Sequence, residues 1–357
     1  ISEFANRLDV FANLRLTGSE RILLGLRPLD NRRQFTGTSF EPGDRAIDEY
    51  NLDVDVLFFE GDFGELFPTL DEGDKKRFDF GFAVGRQQIT AQNGILINDV
   101  VDSIGIVQTN LAVVEGWATT RVVTVFAWDE IERGNALDDP GAKLYGLFAE
   151  TDTPFTTLNV DLVYVDSEDD SDAVYAGFSA VQRFGHYATT FRANFSQVNG
   201  ADSVFADDGA LLTSEIALTP YGGLDVLYLN AFWGIDNFTS AARNFDTGGP
   251  LASIGILYEA IGLGNYGAPL SNDPEDAVGL SLGYQWIYNK TRDQVTLEFG
   301  IREGTRPNTD SEGAAALGVR YQKAFGQRFI FQIDAFASQH NTDGRGHGLR
   351  TELLVEF

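Results

Sequence analysis

Polar and apolar residues alternate along most of this chain. In AVGLSLGYQWIYN, Val278, Leu280, Leu282, Tyr284, Trp286 and Tyr288 fall on one side of an extended backbone, and Gly279, Ser281, Gly283 and Gln285 fall on the other. In QVTLEFGIR, Val295, Leu297, Phe299 and Ile301 oppose Gln294, Thr296, Glu298 and Arg302. ALGVRYQKAF sets Leu317, Val319 and Tyr321 against Gly318, Arg320 and Gln322. The same period recurs in LNVDLVYVD, YATTFRANFSQ, LLTSEIALT, DVLYLNAFWGID, RFIFQIDAFAS and NLDVDVLFF. A period of two is that of a β-strand, and strict alternation gives the two faces different surroundings. The chain is therefore predicted to be all-β.

The connections come in two kinds. Thr17-Gly18-Ser19, Phe184-Gly185-His186, Tyr221-Gly222-Gly223 and Phe325-Gly326-Gln327 read as tight turns. Residues 29–48, 131–141, 199–209, 237–276 and 304–312 read as longer acidic, Gly-rich or Pro-rich loops. Short turns on one side and long loops on the other are the plan of a barrel that crosses a bilayer. In hydrocarbon every backbone N–H and C=O must be paired internally, so a spanning sheet must close on itself. A soluble sandwich would not give so many successive strands a polar second face, and a propeller would show a fixed repeat. The expectation is one closed antiparallel transmembrane β-barrel over residues 1–357. Counting back from Phe357 gives about 17 strands against an even-number rule. The favoured reading is about 18, with an upward N-terminal strand lacking here; about 16 is the alternative.

GGPLASIGILYEAIGLGNYG breaks the period. Leu251, Ile254, Tyr258 and Ile261 have helical spacing. A short helix is expected there, in the long external loop 237–276, either folded into the lumen or packed on the rim.

Composition narrows the class. There is no uncharged apolar run of helical membrane length, and the mean hydropathy of -0.14 is what alternating strands average to. The start, ISEFANRLDV, has neither the basic region nor the apolar core of a secretion signal, as in an exported chain after processing. With no Cys, disulfides, thiolate metal sites, a cysteine nucleophile and covalent haem attachment are excluded. A net charge of -27 argues against nucleic-acid binding.

The chain ends in GLRTELLVEF, with Leu349, Thr351, Leu353, Val355 and Phe357 on one face and Arg350, Glu352 and Glu356 on the other. An alternating strand that finishes on an aromatic resembles the terminal signature of bacterial outer-membrane proteins. That resemblance implies a bacterial outer-membrane location and contact with lipid and lipopolysaccharide. Trp286 with Tyr288, and Trp233, suit interfacial girdles. FDFGFAVGRQQITAQNGILINDVVDSIGIVQTN resembles the strand-loop-strand of the alginate-export-like porins, through Gly85, Arg86, Gln87, Asp102 and Gly105. This implies a barrel that passes hydrophilic solutes. By alternation Arg86 shares the face of Phe80, Phe82 and Val84, so either a bulge at Gly85 turns it inward or it lies at headgroup level.

Strand alternation also assigns the charges that line the pore. Arg15, Arg27, Arg183, Arg192, Arg302, Arg320 and Arg350 face inward, as do Asp53, Asp55, Asp161, Glu215, Glu298, Asp334 and Glu352; Arg7, Arg21 and Asp9 continue the pattern. The signs nearly balance, which leaves the acidic excess in the loop segments DEIERGNALDDP, DSEDDSD, ADSVFADD and SNDPED. A porin for passive or selective diffusion of small hydrophilic solutes follows, with a near-neutral lumen under an acidic rim. The plainer reading of any one charge is that it pairs with a neighbour and stiffens the wall.

Asp166, Glu168, Asp170 and Asp172 of DSEDDSD would suit calcium if extended, although a solvated acidic loop needs no ion. No other metal or cofactor is expected. His186, His340 and His347 lie in no hydrolase or metalloprotease motif, so the chain is not read as an enzyme. The alternative function is a barrel that sheathes a partner such as an electron-transfer cytochrome or an exported lipoprotein. A homo-oligomer is compatible with either.

Overall fold

The computed structural model describes every residue except 1, 32–33, 42, 71–78, 112–116, 135, 169–170, 201–202, 221, 261 and 307–312. Among the described residues seventeen strands follow one another up and down: β1 (Val10–Arg15), β2 (Arg21–Leu26), β3 (Val54–Asp62), β4 (Gly81–Ala91), β5 (Ile97–Leu111), β6 (Thr120–Asp129), β7 (Lys143–Asp152), β8 (Thr156–Asp166), β9 (Asp172–Phe184), β10 (Tyr187–Asn199), β11 (Gly209–Leu218), β12 (Val226–Asp236), β13 (Ala277–Tyr288), β14 (Asp293–Gly304), β15 (Ala314–Phe325), β16 (Phe329–His340) and β17 (Gly344–Val355). Each pairs antiparallel with the next. An eighteenth, Ala242–Arg243, joins the barrel sheet differently, adding parallel to Ile97–Asn98 of β5 from within a loop. An odd up-and-down series makes β1 and β17 run the same way. Among the described residues no register pair joins those two.

Tight turns follow the chemistry of their residues. Phe184 pairs with Tyr187 across Gly185-His186, and Gly185 supplies the positive φ of 60° that the hairpin needs. Residues 63–80, between β3 and β4, make the longest connection on this side. They begin with a helical turn, Phe63–Leu66, capped where the Asp62 carboxylate accepts from the Glu65 N–H at 3.1 Å.

The outer wall is an apolar band. Outward Leu282 is 45% exposed and outward Leu349 71% exposed, whereas inward Ser281 and Glu298 have no exposure at all. So continuous an apolar surface suits hydrocarbon, not water. Its loop-side edge carries an in-register aromatic row, Phe126, Tyr145 and Tyr164, with ring centroids 5.1 and 6.2 Å apart. Phe184, Tyr187, Tyr288, Phe325 and Phe329 end their strands on the turn side and are exposed there. No helix is long and apolar enough to cross a membrane among the described residues, a test that does not bear on strands.

Alternation fails near the loop rim. Leu144, Val163, Val165, Tyr175, Leu211 and Ala316 face inward yet are buried. They form two apolar clusters with side chains from connecting segments, among them Leu96 and Ala241 in one, and Leu251, Ile254 and Leu257 in the other. The lumen is therefore filled on that side by the protein's own loops.

The two faces should respond differently to charge. An arginine facing hydrocarbon near the midplane costs about 2–4 kcal/mol. Leu282→Arg is expected to reduce the heat-modifiable, folded fraction on gels, while Gln285→Arg, facing the lumen, should leave it intact; equal loss in both would contradict the assignment. Ser281 is not an equivalent lumen control, because a Cβ added to Gly255 would lie 2.5 Å from its Oγ.

Candidate constriction

Residues 237–276 leave β12 and cross the lumen. The Ala241 N–H donates to Leu96 O at 2.9 Å, and the Arg243 N–H to Glu132 O at 2.7 Å. The Ser240 hydroxyl donates to Ile95 O at 2.6 Å. Arg243 is only 3% exposed, and its guanidinium donates to the carbonyls of Gly94 and Gly248. Burial lowers its pKa to about 10, so it remains charged at neutral pH. It ties the β4–β5 turn to the loop through carbonyl dipoles.

The segment then turns back toward its own side of the barrel. Leu251, Ile254 and Tyr258 are buried as their spacing suggested, but the structure differs from the expected helix. Pro250–Ser253 is a single 3-10 turn, and the chain beyond it is irregular. Glycines at 248, 249, 255, 262 and 264 disfavour a continuous helix, and burial alone explains the spacing. Ile261 lies outside the described residues.

A carboxylate fixes this return. Glu298 accepts from the backbone N–H of Ile256 at 3.0 Å, from that of Leu257 at 2.9 Å, and from the Tyr228 hydroxyl. Asn230 Nδ2 donates to Ile254 O at 2.7 Å, and the Tyr258 hydroxyl to Ile301 O at 2.8 Å. Leu257 lies in a niche left by missing side chains. A Cβ at Gly318 would come within 2.7 Å of one of its methyl groups, and a Cβ at Gly300 within 3.1 Å of the other and 2.7 Å of Leu270. Arg302 Nη1 closes the seat by donating to Ser271 O at 2.8 Å.

The opening beside the loop is lined by charge. Arg27 lies 3.1 Å from Asp9, 3.6 Å from Asp30, 3.4 Å from Asp55 and 3.1 Å from Asp246. Arg320 lies 2.7 Å from Glu259 and 2.5 Å from Asp334. Arg350 lies 3.6 Å from Asp334 and also pairs with Glu352. Arg7 pairs with Asp9 at 2.9 Å and donates to Gly262 O at 3.1 Å. Strand register builds part of this directly, since Arg320, Asp334 and Arg350 are cross-strand partners in one row. Four guanidinium groups thus meet seven carboxylates, an excess of three negative charges. Burial raises the Asp30 pKa, against the opposing pull of Arg27.

The sequence-assigned residues separate into groups. Arg27, Asp55, Arg320, Asp334, Arg350 and Glu352 gather at the opening. Glu298 and Arg302 hold the loop. Arg192 pairs with Glu215 on the opposite wall. Asp161 accepts from Gln92 Nε2 at 2.7 Å, tying the β4–β5 turn to β8. Arg183 donates to Gly185 O at 3.3 Å at the short-turn edge, and Arg15 is exposed at the same edge. Asp53 lies outside β3 and is exposed; its own N–H donates to Asn51 Oδ1 at 3.1 Å. Neither Arg15 nor Asp53 joins the constriction, because each lies at or beyond a strand end.

The strand pattern did not reveal Asp30, Asp246 and Glu259, which come from loops. It also missed Arg133, fully buried against Asp139 at 2.8 Å and the Tyr175 hydroxyl at 3.2 Å. Its one trace in the sequence is an inward tyrosine on β9 where polar residues were expected.

Arg86 stays on the outer face. It pairs there with Asp102 at 2.9 Å and Glu130 at 3.0 Å, near the loop-side aromatic edge. Gly85 has φ 125° and no room for a Cβ, but β4 keeps its register with β5 through this point. In DSEDDSD, Asp172 accepts from the Ser167 N–H and the Tyr164 hydroxyl, each at 3.0 Å, and Asp170 is outside the described residues. Among the described residues no cluster of three or more acidic or His side chains could hold a metal ion.

Removing the Glu298 carboxylate leaves two loop N–H groups without their acceptor, at roughly 1–3 kcal/mol each. Glu298→Ala is expected to raise and destabilise single-channel conductance while the folded barrel persists, with Glu298→Gln in between. Conductance equal to that of the parent in both variants would mean that the loop is held by other contacts.

Comparison with known proteins gives fold-level likeness. No family model matches the chain, and no curated protein does. Solved structures do match. The chain is similar to the outer-membrane protein OpdK of Pseudomonas aeruginosa, with a TM-score of 0.63 at 13% identity over 99% of this chain and 92% of that one. It is similar to OccK2 (OpdF) of the same organism, with a TM-score of 0.63 at 10% identity over 99% and 91%. It is also similar to a BenF-like porin from Pseudomonas fluorescens Pf-5, with a TM-score of 0.60 at 10% identity over 99% and 92%. The chain has the barrel fold of these outer-membrane proteins.

Proposed function

We propose that this chain is a bacterial outer-membrane channel for passive or selective diffusion of small hydrophilic solutes. The observation that carries this reading is the loop 237–276 folded across the lumen, with a charged opening left beside it. A barrel that sheathes a partner needs an empty bore, whereas loop side chains pack against the inner wall here. The fold neighbours support the same reading: one is described as a porin, and OccK2 was also solved in complex with glucuronate.

The short turns then face the periplasm and the long loops face outward, with lipid and lipopolysaccharide against the apolar band. An upward strand between β1 and β17 would restore an even series, since both run toward the periplasm in this orientation. The likeness to alginate-export-like porins rests on Gly85, Arg86, Gln87, Asp102 and Gly105. An opening for an anionic polymer needs net positive charge, and the excess of carboxylates argues for other solutes.

That excess sets the expected selectivity. Charges held close in a narrow opening are screened less than those on the rim, where the Debye length is about 10 Å at 0.1 M salt. Reversal potentials in planar bilayers under a KCl gradient should show a cation preference that persists as salt rises. Glu259→Gln together with Asp246→Asn should reduce it. Absence of channel activity would contradict the functional reading, and anion preference in the parent would contradict the charge assignment.

A further inference from the structure

One register row to the periplasmic side of the Arg320–Asp334–Arg350 row, the lumen wall carries neutral amides. Gln294 of β14 pairs with Gln322 of β15, Gln322 with Gln332 of β16, and Gln332 with Glu352 of β17. Each of these amides hydrogen-bonds a polar neighbour on the wall. Gln322 Nε2 donates to Gln332 Oε1 at 2.7 Å, Gln332 Nε2 donates to Asp334 Oδ2 at 2.6 Å, and Gln285 Nε2 donates to Gln294 Oε1 at 2.9 Å. All four amides are partly exposed. With strands about 4.8 Å apart, the row from Gln294 to Glu352 is roughly 14 Å wide.

Resting on the channel reading, we infer that this row is a hydroxyl-binding track and that the favoured solutes are uncharged polyhydroxylated rings, monosaccharides above all. A carboxamide presents a donor and an acceptor side by side, and a hydroxyl is both. Adjacent hydroxyls on a ring can therefore exchange water for amide contacts at each step along the row. The amides attract no ion of either sign, so the selectivity of the track is for hydroxyl count.

A second feature suits the ring faces of such solutes. Phe336, two positions beyond Asp334 on β16, meets Tyr266 of the inward loop edge-on at 5.6 Å between centroids. Burial, with Asp334 nearby, raises the Tyr266 pKa to about 12, so its hydroxyl stays a donor. A sugar ring leaving this aromatic corner meets the charged row and then the amides. Weak contacts in series let a solute enter and leave quickly. The carboxylate excess at the opening makes the sugar acids poorer solutes than neutral sugars.

Liposome swelling measures this. The parent protein should admit glucose faster than triethylene glycol, a flexible solute of similar mass with few hydroxyls, and faster than glucuronate. Replacing Gln294, Gln322 and Gln332 together with Ala widens the lumen and should speed triethylene glycol. The ratio of glucose to triethylene glycol rates should nevertheless fall roughly fivefold, the equivalent of one net hydrogen bond. KCl conductance in the same preparations shows whether the variant has assembled. A conducting triple variant whose ratio is unchanged overturns the track, as does a parent that admits triethylene glycol or glucuronate as fast as glucose. A parent that conducts no ions overturns the channel reading instead.

Discussion

Hydrocarbon offers no hydrogen bonds to a backbone, and the rest of this molecule follows from that constraint. Every N–H and C=O at membrane depth must pair with a neighbouring strand. The pairing leaves side chains free to answer to two different media. Outward positions such as Leu282, Phe299 and Leu317 carry the apolar band. Inward positions are released from packing into a common core and can hold glycine, glutamine, arginine or carboxylate. The glycines at 300 and 318 show the use made of that freedom. On an outward face they would only thin the band; on the inward face they admit Leu257 of the loop.

The wall alone leaves a wide lumen, and it is the loop that narrows it. Glu298 is a buried charge made tolerable by three donors, two of them backbone N–H groups of the segment it holds. Arg243 performs the converse task at the other end, a buried cation among carbonyls of two segments. Between these anchors the loop brings Asp246 and Glu259 to arginines of the wall. The guanidinium groups at the opening are each shared between acids or carbonyls, which fixes their positions and leaves the net field negative.

Much of the wall was legible because period-two alternation is a local property. The faces of β13, β14 and β15 can be read from AVGLSLGYQ, QVTLEFGIR and ALGVRYQKAF residue by residue. The inward direction of Arg320 and Glu298 came with them, and that of Asp334 and Arg350 with RFIFQIDAFAS and GLRTELLVEF. What alternation could not show is who meets whom across the lumen. Val163 and Val165 lie on a strand whose inner face was expected to be polar, and they are apolar because Leu96 and Ala241 reach them from distant segments. The helical spacing of Leu251, Ile254 and Tyr258 was real, but it recorded burial of an irregular, glycine-interrupted segment. Asp30, Asp246 and Glu259 carried no local signal, since loop positions have no period. The balance of charge was misjudged for that reason: strand charges alone nearly cancel, and the loop acids tip the opening to negative.

In the channel reading, residues 237–276, seated on Glu298, form the constriction. Single-channel recording of a variant with residues 250–266 replaced by a short Gly-Ser linker tests it most directly. A folded barrel with clearly higher conductance and weaker ion selectivity is the expected result. A folded barrel whose conductance and selectivity match the parent would place the constriction elsewhere and contradict the account.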